Sequence, residues 1–208
     1  MFNLSTQEVV LSIEKTPVIV KNKIVYQEYE NFFGNLVIEK IKNGIKELKM
    51  VKLESHENEN RWRVDYGETI FKELHLFFAN SKITSALENK FNTKLKFSSL
   101  DLWFDHFREE DELNELEPHT DHDSIKLAIQ IYLGEEENVG TSLYANSGEI
   151  ILYENSKKLK WDPDRKPIHT FKYNCNNGYA LLNTEASWHG IHERVKKNTR
   201  KSLYVRYS

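Results

Sequence analysis

The feature that most narrows the folds open to this chain is a change of hydrophobic period near residue 95. Upstream, apolar residues recur every three to four positions. Val37, Ile41, Ile45 and Leu48 do so within Phe33–Leu48, and Ile70, Leu74, Phe77 and Phe78 repeat the spacing after Gly67. That period gathers them on one face of an amphipathic helix. A third short helix is expected over Ser81–Phe91. Downstream the apolar runs shorten and fill with β-branched and aromatic residues. Leu95, Phe97 and Leu100–Phe104, then Lys126–Leu133, Ile150–Tyr153, Tyr179–Leu182 and Ser202–Tyr207, read as strands. Gly134, Asn138 with Gly140, Ser147-Gly148 and Asn176-Asn177-Gly178 supply the turns between them. Many short strands separated by turns imply a mainly β (α+β) chain, a β-sandwich or double-sheet jelly roll braced on one face by the early helices. The polar segment Asn155–Ile168 reads as a surface loop.

No linker and no internal repeat divides the chain. One domain over 1–208 is expected, with 1–94 as helical and strand support and 95–208 as the jelly-roll core. Of the 208 residues, 39% are hydrophobic and 12% aromatic, enough for one sizeable core and too many for a disordered chain. A net charge of -3 argues against nucleic acid as a partner. No apolar run approaches the roughly 18 residues of a membrane span. Met1–Glu14 lacks a basic region followed by an apolar one. The single cysteine, Cys175, cannot form an internal disulfide. A cytoplasmic location with no membrane partner is the expectation.

The sharpest local signal is Glu117-Pro118-His119-Thr120-Asp121. In extended backbone, residues i and i+2 point to the same side, so His119 and Asp121 can present an imidazole and a carboxylate to one point. His189, in Trp188-His189-Gly190, follows the strand Tyr179–Leu182 and can supply a second imidazole from a neighbouring strand. Two histidines and one carboxylate form a facial triad with open positions, the set suited to non-haem Fe(II) that must meet O2 and a cosubstrate together. A His-x-Asp tripeptide alone is weak evidence. Arg200-Lys201-Ser202 strengthens it, because Arg200 and Ser202 share one face of the last strand and both donate hydrogen bonds. A guanidinium beside a hydroxyl suits the far carboxylate of a dicarboxylate whose near end chelates the metal.

These residues carry a resemblance. The C-terminal half resembles the iron(II)- and 2-oxoglutarate-dependent dioxygenases, in particular the prolyl 4-hydroxylase-like branch. The matching stretches are His119-Thr120-Asp121, Ile129–Leu133, Gly140–Tyr144, Gly178–Leu182, Trp188-His189-Gly190 and Thr199–Leu203. The likeness spans roughly 95–208; the N-terminal part matches only in being helical. It implies a double-stranded β-helix (jelly-roll) core with the site between its sheets. It implies Fe(II) held by His119, Asp121 and His189, and 2-oxoglutarate bound by Arg200 with the Tyr132 hydroxyl. Leu143 would line the cosubstrate pocket and Ser202 would assist Arg200. The implied chemistry uses O2 to decarboxylate 2-oxoglutarate to succinate and CO2 while a substrate C–H bond is hydroxylated. The prime substrate stays open between a peptidyl side chain (prolyl among them), a free amino acid and another small molecule, with a slight lean to protein or amino acid. The short Asp121–Tyr132 connection and the long 155–168 segment depart from the pattern, so the substrate can differ from proline. The competing class is a non-oxidative jelly roll, either a metal-binding cupin isomerase or a ligand-binding module. Arg200 beside an intact triad argues against it.

Other polar residues read more plainly. Alternation turns His122 away from the metal side. His192 sits in a turn, His106 is core or surface unless it lines the pocket, and His56, His75 and His169 have no supporting partners in the sequence. Cys175 is an incidental thiol in a turn. The acidic run Glu109–Glu112 with Glu115 and Glu117 is a solvated loop, or a rim that favours a cationic substrate. The basic run Lys157, Lys158, Lys160, Arg165 and Lys166 is solvated surface or a lid. Trp103 is core, whereas Trp188, beside a ligand, could touch substrate.

Overall fold

The computed structural model describes residues 6–46, 50–52, 61–64, 69–106, 116–134, 139–152, 156–160, 162, 164–191 and 199–208. Helices α1 (Thr6–Lys15), α2 (Asn35–Lys46), α3 (Thr69–Phe78) and α4 (Ser81–Phe91) lie in the N-terminal part with strands β1 (Ile19–Lys21), β2 (Ile24–Tyr29), β3 (Met50–Lys52) and β4 (Arg61–Val64). The remainder is β5 (Phe97–His106), β6 (Leu116–His119), β7 (Leu127–Tyr132), β8 (Ser142–Leu143), β9 (Ile150–Leu152), β10 (Lys157–Leu159), β11 (His169–Thr170), β12 (Gly178–Leu182), β13 (His189–Ile191) and β14 (Thr199–Tyr207). They form an eight-stranded sheet, β1-β2-β12-β7-β14-β5-β4-β3, and a six-stranded sheet, β11-β8-β13-β6-β10-β9, antiparallel throughout. Chain connections cross between the sheets at 119–127, 132–142 and 182–189, which is the winding of a double-stranded β-helix. The expected fold class is the observed one.

The helices form where the apolar period required. α4 matches its expected bounds because both ends are fixed: the Asn80 side chain accepts from Lys82 N, and Asn92 closes the helix in the left-handed region at φ 48°. α1 was not anticipated; its buried stripe is only Val9 and Ile13. β1 and β2 form a hairpin through Asn22-Lys23, both at positive φ, as a two-residue turn between right-twisted strands demands.

Alternation along the large sheet separates two environments. Leu127, Ile129 and Ile131 of β7, Ala180 of β12, and Leu203, Val205 and Tyr207 of β14 join the helix residues Ile41, Leu74, Phe78 and Leu87 in one buried cluster. The helices therefore brace this face, and the intervening residues Gln130, Tyr132, Tyr179, Arg200, Ser202 and Tyr204 turn to the space between the sheets. The segment read as a loop over Asn155–Ile168 contains β10, which pairs with β9 and, through Lys158↔His119, with β6. Only Leu159 of this strand is fully buried, so a three-residue polar strand leaves no hydrophobic signature. Gly140 packs where a Cβ would meet the Phe171 carbonyl oxygen. Gly140→Ala is expected to destabilise by about 1–3 kcal/mol through overpacking, lowering the melting midpoint by roughly 2–4 °C for each kcal/mol; a thermal melt checks it.

Among the described residues no helix is long and apolar enough to cross a membrane. His56, His192 and the acidic run Glu109–Glu115 lie outside the described residues, as do the side chains of Trp103 and His106.

Candidate metal centre

The antiparallel pairing of β6 and β13 sets His119 directly opposite His189, and directly opposed residues share a sheet face. Their ring centroids are 4.5 Å apart. Asp121 follows two residues beyond His119 in the crossing to β7, with its Oδ1 3.9 Å from His189 Nε2. One potential ligand atom from each of His119, Asp121 and His189 falls within 4.8 Å of the others.

The hydrogen bonds around these groups define their chemistry. His119 Nδ1 lies 2.9 Å from the Glu117 carbonyl oxygen and His189 Nδ1 3.0 Å from that of Ser187. A carbonyl only accepts, so Nδ1 of each ring carries a proton and Nε2 is the nitrogen through which each ring would bind a cation. Tyr204 donates its phenol to Asp121 Oδ1 at 2.7 Å. Burial, and next the Asp121 charge, hold that phenol well above the ordinary tyrosine range, so it remains a donor. Two imidazoles oriented by backbone carbonyls and a hydrogen-bonded carboxylate, partly open to solvent, fit a divalent iron-like ion with vacant positions.

Between the sheets lies a second polar group of side chains. Arg200 is 2% exposed; its Nε donates to the Val139 carbonyl at 3.2 Å and its guanidinium to Thr141 Oγ1 at 2.9 Å. The cation also sits 5.3 Å from the Tyr132 ring centroid and 5.9 Å from that of Tyr173. The Tyr132 oxygen accepts from Thr141 N–H at 2.8 Å, so the phenol can point its own proton elsewhere. Burial raises the Tyr132 pKa, and the Arg200 charge opposes that rise. Ser202 shares the Arg200 face as expected, but its hydroxyl accepts from Gln130 Nε2 at 3.0 Å. Gln130 Oε1 in turn accepts from Thr141 Oγ1 and from Tyr179. Leu143, opposite His189 in the β8–β13 ladder, is fully buried with Tyr132, Phe171 and Tyr179.

Sequence reasoning missed Tyr204, Gln130 and Thr141. Tyr204 lies two residues beyond Ser202 and Gln130 two before Tyr132, so the alternation already used for Arg200 and Ser202, carried one step further, finds both. Trp188 is corrected: it is fully buried with Tyr144 and Leu159 and presents nothing to a substrate. His169 is corrected as well, since its Nε2 lies 3.0 Å from Glu28 Oε2 and its ring stacks on Tyr26. His122 is exposed and bonded to Ser124, as alternation required. Of the charged runs, Lys158 lies 3.8 Å from Glu117 and Lys157 3.8 Å from Glu185.

Tyr204→Phe tests whether the phenol tunes the carboxylate. Metal affinity is expected to fall about 10-fold, the lower end for loss of an outer partner, with the fold retained; titration of the metal-free protein with Fe(II) under nitrogen measures it.

No family model and no curated protein matches the chain. Among solved structures it is similar to a 2OG-Fe(II) oxygenase family oxidoreductase from Burkholderia pseudomallei, with TM-score 0.57 and 11% identity over 100% of this chain and 91% of that one. It is similar to the epimerase SnoN in complex with Fe3+, α-ketoglutarate and nogalamycin RO (TM-score 0.59, 10% identity, 98% and 83% covered). HygX from Streptomyces hygroscopicus, with nickel, 2-oxoglutarate and hygromycin B bound, is a third (TM-score 0.57, 11% identity, 97% and 86% covered). At such identities the likeness establishes the fold, a double-stranded β-helix of the kind these oxygenases share.

Proposed function

We propose that this protein is a non-haem Fe(II) and 2-oxoglutarate-dependent oxygenase that hydroxylates a C–H bond of its substrate. The observation that carries the proposal is the convergence of one ligand atom each from His119, Asp121 and His189, with Nδ1 of both rings held by backbone carbonyls. When bound, the iron would bring O2 and the keto acid together and couple release of succinate and CO2 to oxidation of the substrate. This chain's residues have distinct parts in that reaction. His119, Asp121 and His189 hold the ion. Arg200 fixes the far carboxylate of 2-oxoglutarate, the Tyr132 phenol donates to the same group, and Leu143 keeps the pocket dry. Ser202 acts through Gln130, within the buried network that steadies Thr141 and thereby the Arg200 fork.

For the prime substrate we propose a small molecule, free amino acids included. Nogalamycin RO and hygromycin B, bound in two of the similar structures, support that class. SnoN is an epimerase, so gain of an oxygen is not the sole outcome to be tested at the substrate carbon. The test is succinate formation from 2-oxoglutarate by Fe(II)-loaded protein across amino-acid and small-molecule panels, with product mass analysis. A gain of one oxygen in a panel member supports hydroxylation. Stimulated succinate release with no oxygen gained by the substrate would replace hydroxylation with another oxidative outcome. No succinate under any condition would contradict the oxygenase reading.

A further inference from the structure

Two of the proposed ligands lie in, or directly after, crossings that leave one sheet for the other, segments with no ladder of their own. Asp121 lies in the 120–126 crossing from β6 to β7; His189 is the first residue of β13, directly after the 183–188 crossing from β12, and is paired there with His119 and Leu143. Asn183 stands where these two crossings run side by side. Its own backbone is anchored, because Asn183 N donates to the Lys126 carbonyl at 2.8 Å, one step beyond the Leu182↔Leu127 pair that closes the β12–β7 ladder. Its side-chain Nδ2 is directed at three carbonyls of the other crossing: Ile125 at 2.8 Å, His122 at 3.2 Å and Asp121 at 3.4 Å. The opposite amide orientation would face an oxygen to all three, so the assignment is fixed by the surroundings.

The other end of the amide reaches the second ligand. Ser187 Oγ shares its proton between the Thr184 carbonyl at 2.7 Å and Asn183 Oδ1 at 3.1 Å, and accepts from Thr184 N at 3.0 Å. The Ser187 carbonyl in turn accepts the His189 Nδ1 proton at 3.0 Å. A hydrogen-bonded circuit therefore runs from the Asp121 backbone through Asn183 and Ser187 to the His189 ring.

We infer that Asn183 is a positioning residue for the metal site, joining the segment that carries Asp121 to the one that leads into His189 and tying both to the large sheet. This inference rests on the proposed iron site. Neither crossing has a ladder of its own to resist the other's movement, and a ligand set is only as well organised as the partners that orient it. Aspartate at 183 keeps the shape and still accepts from Ser187, but it cannot donate to the three carbonyls and sets a charge against them.

The experiment compares wild type, Asn183→Asp and Ser187→Ala as full chains. Each metal-free protein is titrated with Co(II) alone, well below its melting midpoint, while visible absorption reports affinity and ligand geometry. Asn183→Asp is expected to lose about 10–100-fold in Co(II) affinity, the range for outer partners of metal ligands, with altered cobalt bands. Ser187→Ala, which cuts one link of the circuit, should lose less. A role confined to stability would lower the melting midpoint and leave affinity and bands at wild-type values, and that result overturns the inference while leaving the iron site standing. Should Asn183→Asp fail to fold, Ser187→Ala decides in the same way. Wild-type protein that binds no Co(II) would overturn the proposed function and this inference together.

Discussion

Replacing Asp121 with alanine is expected to abolish metal binding in the micromolar range while the β-helix stays folded. An imidazole ligand brings no negative charge, so Asp121 supplies the only one among the three donors. Its loss removes a ligand and the charge that offsets a divalent cation, so the affinity should fall by more than the roughly 10–100-fold that outer partners contribute. The substitution also leaves the buried Tyr204 phenol without its acceptor, a cost of about 1–3 kcal/mol. That cost is small enough for the fold to survive, and metal content with circular dichroism of the same sample separates the two effects. Retained metal at wild-type stoichiometry would remove Asp121 from the centre.

Arg200→Met should produce the complementary phenotype, with metal bound normally and 2-oxoglutarate bound poorly. The guanidinium is preorganised by Val139, Thr141 and the faces of Tyr132 and Tyr173, so little is lost in ordering it when a carboxylate arrives. Two charge-assisted hydrogen bonds at about 1.5–3 kcal/mol each translate to roughly two to four decades in affinity. Methionine keeps the apolar stem and most of the packing. Calorimetric titration of the Fe(II)-loaded variant with 2-oxoglutarate under nitrogen reads the change; an unaltered affinity would place the cosubstrate carboxylate elsewhere.

What could be read from the chain follows from the range of each interaction. The His119 and Asp121 pairing rests on two residues of extended backbone, and Arg200 with Ser202 on the same rule, so local alternation was sufficient. Alternation also held Tyr204 and Gln130, one step beyond where it was applied. The partners of Ser202 and His169 could not be found this way, because Gln130 and Glu28 lie 72 and 141 residues away in sequence. Trp188 illustrates a different limit: adjacency to His189 in sequence says nothing of facing, and the indole lies buried against Leu159. The polar strand β10 escaped because hydrophobic period is the signal for strands, and one buried leucine is too little of it. Asn183 escaped for the reason that it matters, since its contacts join two crossings that only the folded sheets bring together.

The most direct test of the iron and 2-oxoglutarate site is anaerobic titration of the Fe(II)-loaded protein with 2-oxoglutarate, following visible absorption, with Asp121→Ala alongside. A weak charge-transfer band that grows to saturation in the wild type and is missing from Asp121→Ala is the predicted result, since chelation of the keto acid requires open positions on an iron held by this triad. Wild-type protein that binds Fe(II) normally but develops no band and no heat with 2-oxoglutarate would contradict the account, leaving a metal-binding jelly roll of non-oxidative function.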